Sequence, residues 1–250
     1  MWFLNKYIKA KLITSSILGL SLLITPAALA DYKPPAEQKS PSDYTRQGGS
    51  RDGCAGEGMP LTALVPLTHV GQTISTRPTF AWIVPDSTTK QMKLSLYEYD
   101  SEGIPQQMGD PIVMDLNSSG IMTFTLQENR PELKVGNVYL WQVAIICDPY
   151  NPSSDLIVSA DILVVEKPLD WENMLLDRST ASDASDFYAD KGLWYDALSQ
   201  ALKLAEESKL GEVGSSLLED LAELEAAKLT DEDRKNESVK DFRRIADSLR

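Results

Sequence analysis

The chain has 250 residues and a formal net charge of -13, a balance that argues against a nucleic-acid backbone as partner, because counterion release needs basic patches. Two cysteines, Cys54 and Cys147, and a single histidine, His69, argue against Cys/His zinc centres; no C-x-x-C spacing occurs. The length suffices for one sizeable core plus a smaller unit.

The first 30 residues read as an export signal. Lys6, Lys9 and Lys11 make a basic start, Leu12 to Ile24 is an apolar run short for a bilayer, and Pro26 breaks it. Ala28-Leu29-Ala30 then has the small-x-small pattern of a cleavage site. An uncleaved anchor is the alternative. The expected location is the periplasm or the extracellular space, with no transmembrane helix after cleavage. Residues 31–58 are rich in Pro, Ser, Gly and charge, and so read as a flexible leader that becomes fixed only near Cys54.

A run of short strands follows over 59–167. Leu61 to Pro66 is a first strand that Thr73 and Ile74 continue after a turn at Gly71. Phe80, Trp82 and Val84 alternate between Pro78 and Pro85, and Met92, Leu94 and Leu96 alternate against Lys93, Ser95 and Tyr97. Asp100 to Gly103 is a turn. Ile112 to Leu116 is a short edge strand, Asn117 to Gly120 a turn, and Ile121 to Leu126 the next strand. Glu128 to Gly136 crosses over to the strand that organises the rest. There Tyr139, Trp141, Val143, Ile145 and Cys147 share one face, and Leu140, Ala144 and Ile146 the other, so it is a central strand. Its approach looks like a corner at which a Tyr early in the strand bonds back to the crossover loop. Asp148 to Asp155 is a loop of turn formers, and Leu156 to Val165 closes the set. About seven strands at this spacing predict an antiparallel sandwich similar to immunoglobulin or fibronectin type III domains, with the Trp82 and Tyr139 strands facing each other.

From 168 to 250 the period is helical. Trp171 to Leu176 makes one or two turns. Asp186 to Leu204 carries Tyr188, Gly192, Trp194, Ala197, Leu198, Ala201 and Leu204, a spacing that resembles a tetratricopeptide hairpin with Gly192 in the turn. Gly211 ends that pair, and Leu217, Leu221 and Leu224 mark a third helix, whose Glu219, Asp220, Glu223 and Glu225 form an acidic outer face. Thr230 to Asp233 reads as a cap, and Phe242, Ile245, Ala246 and Leu249 give a last amphipathic helix. One and a half repeats do not close a solenoid, so these helices must lie on the sandwich, on each other or on a partner.

Both halves together resemble one family, the cyanobacterial domain of unknown function (DUF) 928. The resemblance rests on Leu61-Thr62-Ala63-Leu64-Val65-Pro66, Pro78-Thr79-Phe80-x-Trp82, Leu133-x-x-Gly136 with Tyr139-x-Trp141, Ile146-Cys147-Asp148-Pro149, Tyr188-Ala189, and Gly192-Leu193-Trp194-Tyr195-Asp196-Ala197-Leu198. The position of Cys54 ahead of the first block also fits. It covers roughly residues 54 to 226 and implies an exported cyanobacterial envelope protein, with no catalytic residues to carry over.

An even cysteine count in an exported chain suggests a Cys54–Cys147 disulfide, which on loop entropy would contribute on the order of 4–5 kcal/mol; two free buried thiols are the alternative. No nucleophile elbow, P-loop or dinucleotide fingerprint is found, so no catalytic, cofactor or metal residues are assigned. His69 reads as a loop histidine. Asp148 and Asp155 could hold calcium, but turn capping explains them. Tyr150 at a loop tip, and Trp194 with Tyr195, form a candidate binding surface; for the latter two the alternative is packing within the helical pair. The expected function is a non-catalytic protein-binding or scaffold module for an envelope or secreted partner. The alternatives are a glycan- or peptidoglycan-binding sandwich or, third, an acid-pair hydrolase. A deep cleft with two carboxylates, an exposed aromatic platform, or an apolar groove on the helices would discriminate hydrolase, sugar and protein readings in that order.

Overall fold

The computed structural model describes residues 32–47, 58–85, 90–116, 118–176, 178, 180–229 and 232–250. The stretch read as an export signal, and Cys54, Asn117, Thr230 and Asp231, lie outside the described residues. The described chain is β-rich with helices: two sheets and five α-helices.

The smaller sheet has the order β1 (Thr62–Ala63), β3 (Thr79–Val84), β7 (Gly120–Thr125), all antiparallel. The larger sheet has the order β2 (Gly71–Thr73), β9 (Leu156–Val164), β8 (Val138–Ile146), β4 (Lys90–Tyr99), β5 (Pro105–Gln107). β6 (Ile112–Leu116) also pairs with β4, so the long strand shares one edge between β6 and then β5. β2 does not continue the first strand: it crosses to the other sheet and runs parallel to the end of β9. β8 is central, flanked by β4 and β9, as its two apolar faces require. Tyr139, Trp141, Val143 and Ile145 are fully buried on its inner face. Phe80 and Trp82 meet Trp141 across the core, with ring centroids 5.3 and 6.3 Å away. The corner bond forms too: Lys134 N–H donates to the Tyr139 hydroxyl at 2.9 Å.

Five helices complete the chain: α1 (Trp171–Leu176), α2 (Ala181–Asp190), α3 (Trp194–Leu202), α4 (Gly211–Lys228) and α5 (Glu232–Ser248). Thr180 opens α2 with a capping box to Asp183. Ala81 and Ile83, which alternate with the inward Phe80 and Trp82, are also buried, and Ser199 of α3 donates to Thr79 on that same outer face of β3. α3 therefore packs against both β3 of the smaller sheet and β2 at the edge of the larger one, and the other helices pack around it. Their apolar stripes, Leu217, Leu218, Leu221 and Ala222 of α4 and Phe242, Ile245 and Ala246 of α5, join one hydrophobic cluster with the sheet residues. Glu225 does not lie on the acidic outer face of α4: it is fully buried, because at one turn from Leu221 and Ala222 it shares their side of the helix.

Residues 32–47 are a strap rather than a free leader. Arg46 exchanges two backbone hydrogen bonds with Ser159, covering part of the β9 edge that β2 leaves open. Gln47 bonds both ways with Ala63. Asp161 accepts from Ser42 N–H and from Tyr99, whose hydroxyl in turn meets Ser42 Oγ at 2.8 Å. At the other end Lys33 N–H donates to Ala189 O at the end of α2. Composition alone suggests disorder here; tertiary partners for the backbone reverse it.

Candidate functional site

The main candidate is a cleft of about 580 Å³ where the β2–β3 turn, the outer face of β3 and β7, and α3 converge. The volume lies within the range of small-molecule sites. The alternation that buries Phe124 partly and leaves Thr123 and Thr125 exposed sets a row of hydroxyls on the floor. Thr79 and Thr125 are direct partners across the β3–β7 ladder, and their hydroxyl oxygens are 2.8 Å apart.

Three cations line the cleft, Arg77, Lys167 and Lys203. The Arg77 guanidinium is held by the carbonyls of Gln127 and Arg130 and by Glu132 at 3.3 Å. Lys167 pairs with Glu172 and Lys203 with Gln200 Oε1 at 3.1 Å. Among the described lining residues Asp196 is the one carboxylate. It sits in the first turn of α3 and accepts the Ile74 N–H at 3.1 Å, so it ties the helix to the β2–β3 turn. Loss of water around its carboxylate pushes its pKa up to about 6, against the lowering effect of the bonds from Ile74 and Thr73. Desolvation therefore outweighs both those bonds and the favourable helix dipole.

A second polar group lies buried beneath the strap. Tyr32 OH meets His69 Nε2 at 2.9 Å, and Thr68 Oγ1 is 3.4 Å from His69 Nδ1. Glu225 Oε1 accepts from Leu67 N–H at 3.0 Å and from Thr68 Oγ1 at 3.2 Å, while its Oε2 has no partner among the described residues. Burial lowers His69 to about 4 and raises both Glu225 and Tyr32. His69 is thus a neutral, buried anchor for the strap and not a solvated loop histidine.

The sequence-predicted residues fall in different places. Trp194 and Tyr195 are not a surface: they are core residues, 0% and 2% exposed. Trp194 Nε1 donates to Leu64 O at 2.8 Å, and Tyr195 OH accepts from Trp141 Nε1 and donates to Asp161 O. An aromatic with a polar tip that finds internal partners gains more from burial than from exposure. Tyr150 is 97% exposed at its loop tip. That loop joins the end of β8 to the start of β9, so it lies at the opposite end of the larger sheet from Thr73 and Lys167. Asp148 and Asp155 accept backbone N–H bonds from Tyr150 and Cys147, as turn capping requires. Cys147 follows β8; the bridge expected from it reaches Cys54, outside the described residues.

The residues that make the cleft escaped sequence reasoning. The Thr123-Phe124-Thr125 alternation was the available signal, but a hydroxyl row on a strand usually marks a solvated face. The convergence of Arg77, Lys167 and Lys203 from three separate segments has no local signature at all.

In comparison with known proteins, the model of the family described as Domain of Unknown Function (DUF928) matches residues 46–231. No curated protein matches the chain.

Proposed function

The chain belongs to the DUF928 family, and on that premise we propose that it is an exported, non-catalytic binding module of the cyanobacterial cell envelope, with the cleft beside α3 as its binding site. Export and source rest on the basic and apolar start with its Ala-x-Ala end and on the family resemblance. We take the sheets as a variant immunoglobulin/fibronectin-like sandwich, favoured by the Tyr139 corner bond, and α2–α3 as a tetratricopeptide-like hairpin, favoured by Gly192 in its turn.

The single observation that carries this reading is the cleft itself, a concave, hydroxyl-floored space with cations on its rim. A protein partner is less well supported than a glycan: the stripes of α4 and α5 that would have formed an apolar groove are inside the fold. An acid-pair hydrolase needs two carboxylates flanking the scissile bond, and Asp196 is the one among the described lining residues. The test is titration of the isotope-labelled full chain with muramidase-released envelope glycan fragments. Amide shifts confined to the cleft, at Ile74, Thr79, Thr125 and Ser199, are expected. Shifts confined to the Tyr150 loop would place recognition elsewhere.

We further propose the Cys54–Cys147 disulfide, which an exported chain with an even cysteine count favours. Intact mass should rise by two hydrogens on reduction; two alkylatable thiols in the unfolded, unreduced chain would refute it.

A further inference from the structure

We propose that the cleft recognises a singly charged carboxylate carried on a polyhydroxylated frame, the chemistry of a uronic or other acidic sugar. The proposal rests on the reading of the cleft as the binding site and specifies what it takes. The first ground is charge. The chain as a whole carries -13, and of the three cations that line the cleft Arg77 and Lys167 pair with Glu132 and Glu172, whereas Lys203 bonds to the neutral Gln200 amide and is the cation left for a ligand anion. A cation with a neutral partner at the rim of a concavity attracts anions there. Arg77 is the fixed member, because two backbone carbonyls hold one of its nitrogens. Lys203 is exposed at the C-terminal cap of α3, and Lys167 follows β9; both are long and adjustable.

The second ground is the floor. Thr79, Thr125 and Ser199 form a connected set of hydroxyls, and a hydroxyl can both donate and accept. Such a set matches the hydroxyls of a sugar better than the apolar side chains of a peptide. The third ground is Asp196. Its carboxylate in the same cleft repels a phosphate dianion more than a carboxylate monoanion, and it offers an acceptor to a neutral hydroxyl. The carboxylate could come from a residue within a polysaccharide or from a free sugar acid; the shared chemistry is what the side chains specify.

The full chain is titrated by calorimetry and by amide shifts with trigalacturonate, with its methyl ester and with galacturonate. Trigalacturonate should shift the cleft amides and bind about fivefold or more tighter than the ester at low ionic strength, with the difference vanishing at high salt. Lys203→Gln, at an exposed position, should reduce acid binding by about two- to fivefold and ester binding by less, so that the acid-to-ester ratio falls. Stronger binding of the trimer than of the monomer supports a polymer source, and equal binding supports a free sugar acid. An ester that binds in the cleft as tightly as the acid overturns the carboxylate inference while the cleft remains a binding site. An acidic peptide such as Gly-Glu-Gly that outcompetes trigalacturonate there overturns the sugar frame. No shift at the cleft with the acidic probes or with muramidase fragments, while neutral chitotriose shifts it, overturns the acidic-sugar inference alone; no shift with any of them overturns both readings.

Discussion

Two ionisable side chains, Asp196 and His69, make opposite contributions to stability in mild acid. Burial raises Asp196 to about 6 from 3.8, so the folded state holds a proton that the unfolded chain releases. Its contribution is present below the unfolded value and is lost as pH rises through about 6. His69 is lowered to about 4 from 6.5, so its contribution is lost as pH falls through that window. The two partly cancel in the wild type, and a variant separates them. Asp196→Asn keeps an acceptor for the Ile74 N–H but cannot ionise. Chemical denaturation from pH 4 to 7 should therefore show the wild type losing about 1–3 kcal/mol relative to this variant. A constant difference across that range would mean that water reaches the carboxylate more freely than its surroundings suggest.

Among the elements, the α2–α3 turn and the strap depend on each other. Gly192 has a φ of 75°, and a Cβ there would lie 2.8 Å from Pro35 N and 3.0 Å from Pro35 Cδ. The glycine is needed twice, for the left-handed backbone and for the approach of the strap. Gly192→Ala should destabilise the protein by about 1–3 kcal/mol. It should also make the strap the first site of limited proteolysis, read by mass spectrometry of the early fragments. Early cleavage in the loop after β8 instead would show that Gly192 serves the hairpin alone. The strap also illustrates how an element lacking any apolar pattern can be ordered: Arg46 and Gln47 use backbone and amide bonds to an open strand edge, where the hydrophobic count has no say.

At the scale of the whole molecule, the helices and sheets share a single hydrophobic cluster. Trp194 reaches Leu64 and Tyr32, and Tyr195 reaches Trp141 and Asp161. A fragment from Trp171 to Arg250 leaves these two large aromatics without their sheet partners and Glu225 without Leu67 and Thr68. It should be mostly unfolded by circular dichroism, or should self-associate in sedimentation. A monomeric fragment that melts cooperatively would mean that the α2–α5 contacts suffice as a core of their own. No described helix is long and apolar enough to cross a membrane.

What the sequence by itself determined is local and periodic. Alternation in Phe80-x-Trp82 and Tyr139-x-Trp141-x-Val143 placed both strands and their inward faces, because a period of two needs no knowledge of the partner. Gly192 marked a helix–helix turn for the same reason. What only tertiary structure decided is which distant segments meet. The parallel pairing of β2 with β9, the burial of Glu225 against Leu67 and Thr68, and the pairing of Arg46 with Ser159 all join residues more than 80 positions apart. The cleft is the same kind of fact. Arg77, Lys167 and Lys203 each read as an ordinary surface charge in their own segment. They come to line one cleft only because β3, the end of β9 and α3 bring them around one row of hydroxyls. Side-chain chemistry is local, but the field that several charges make together belongs to the fold.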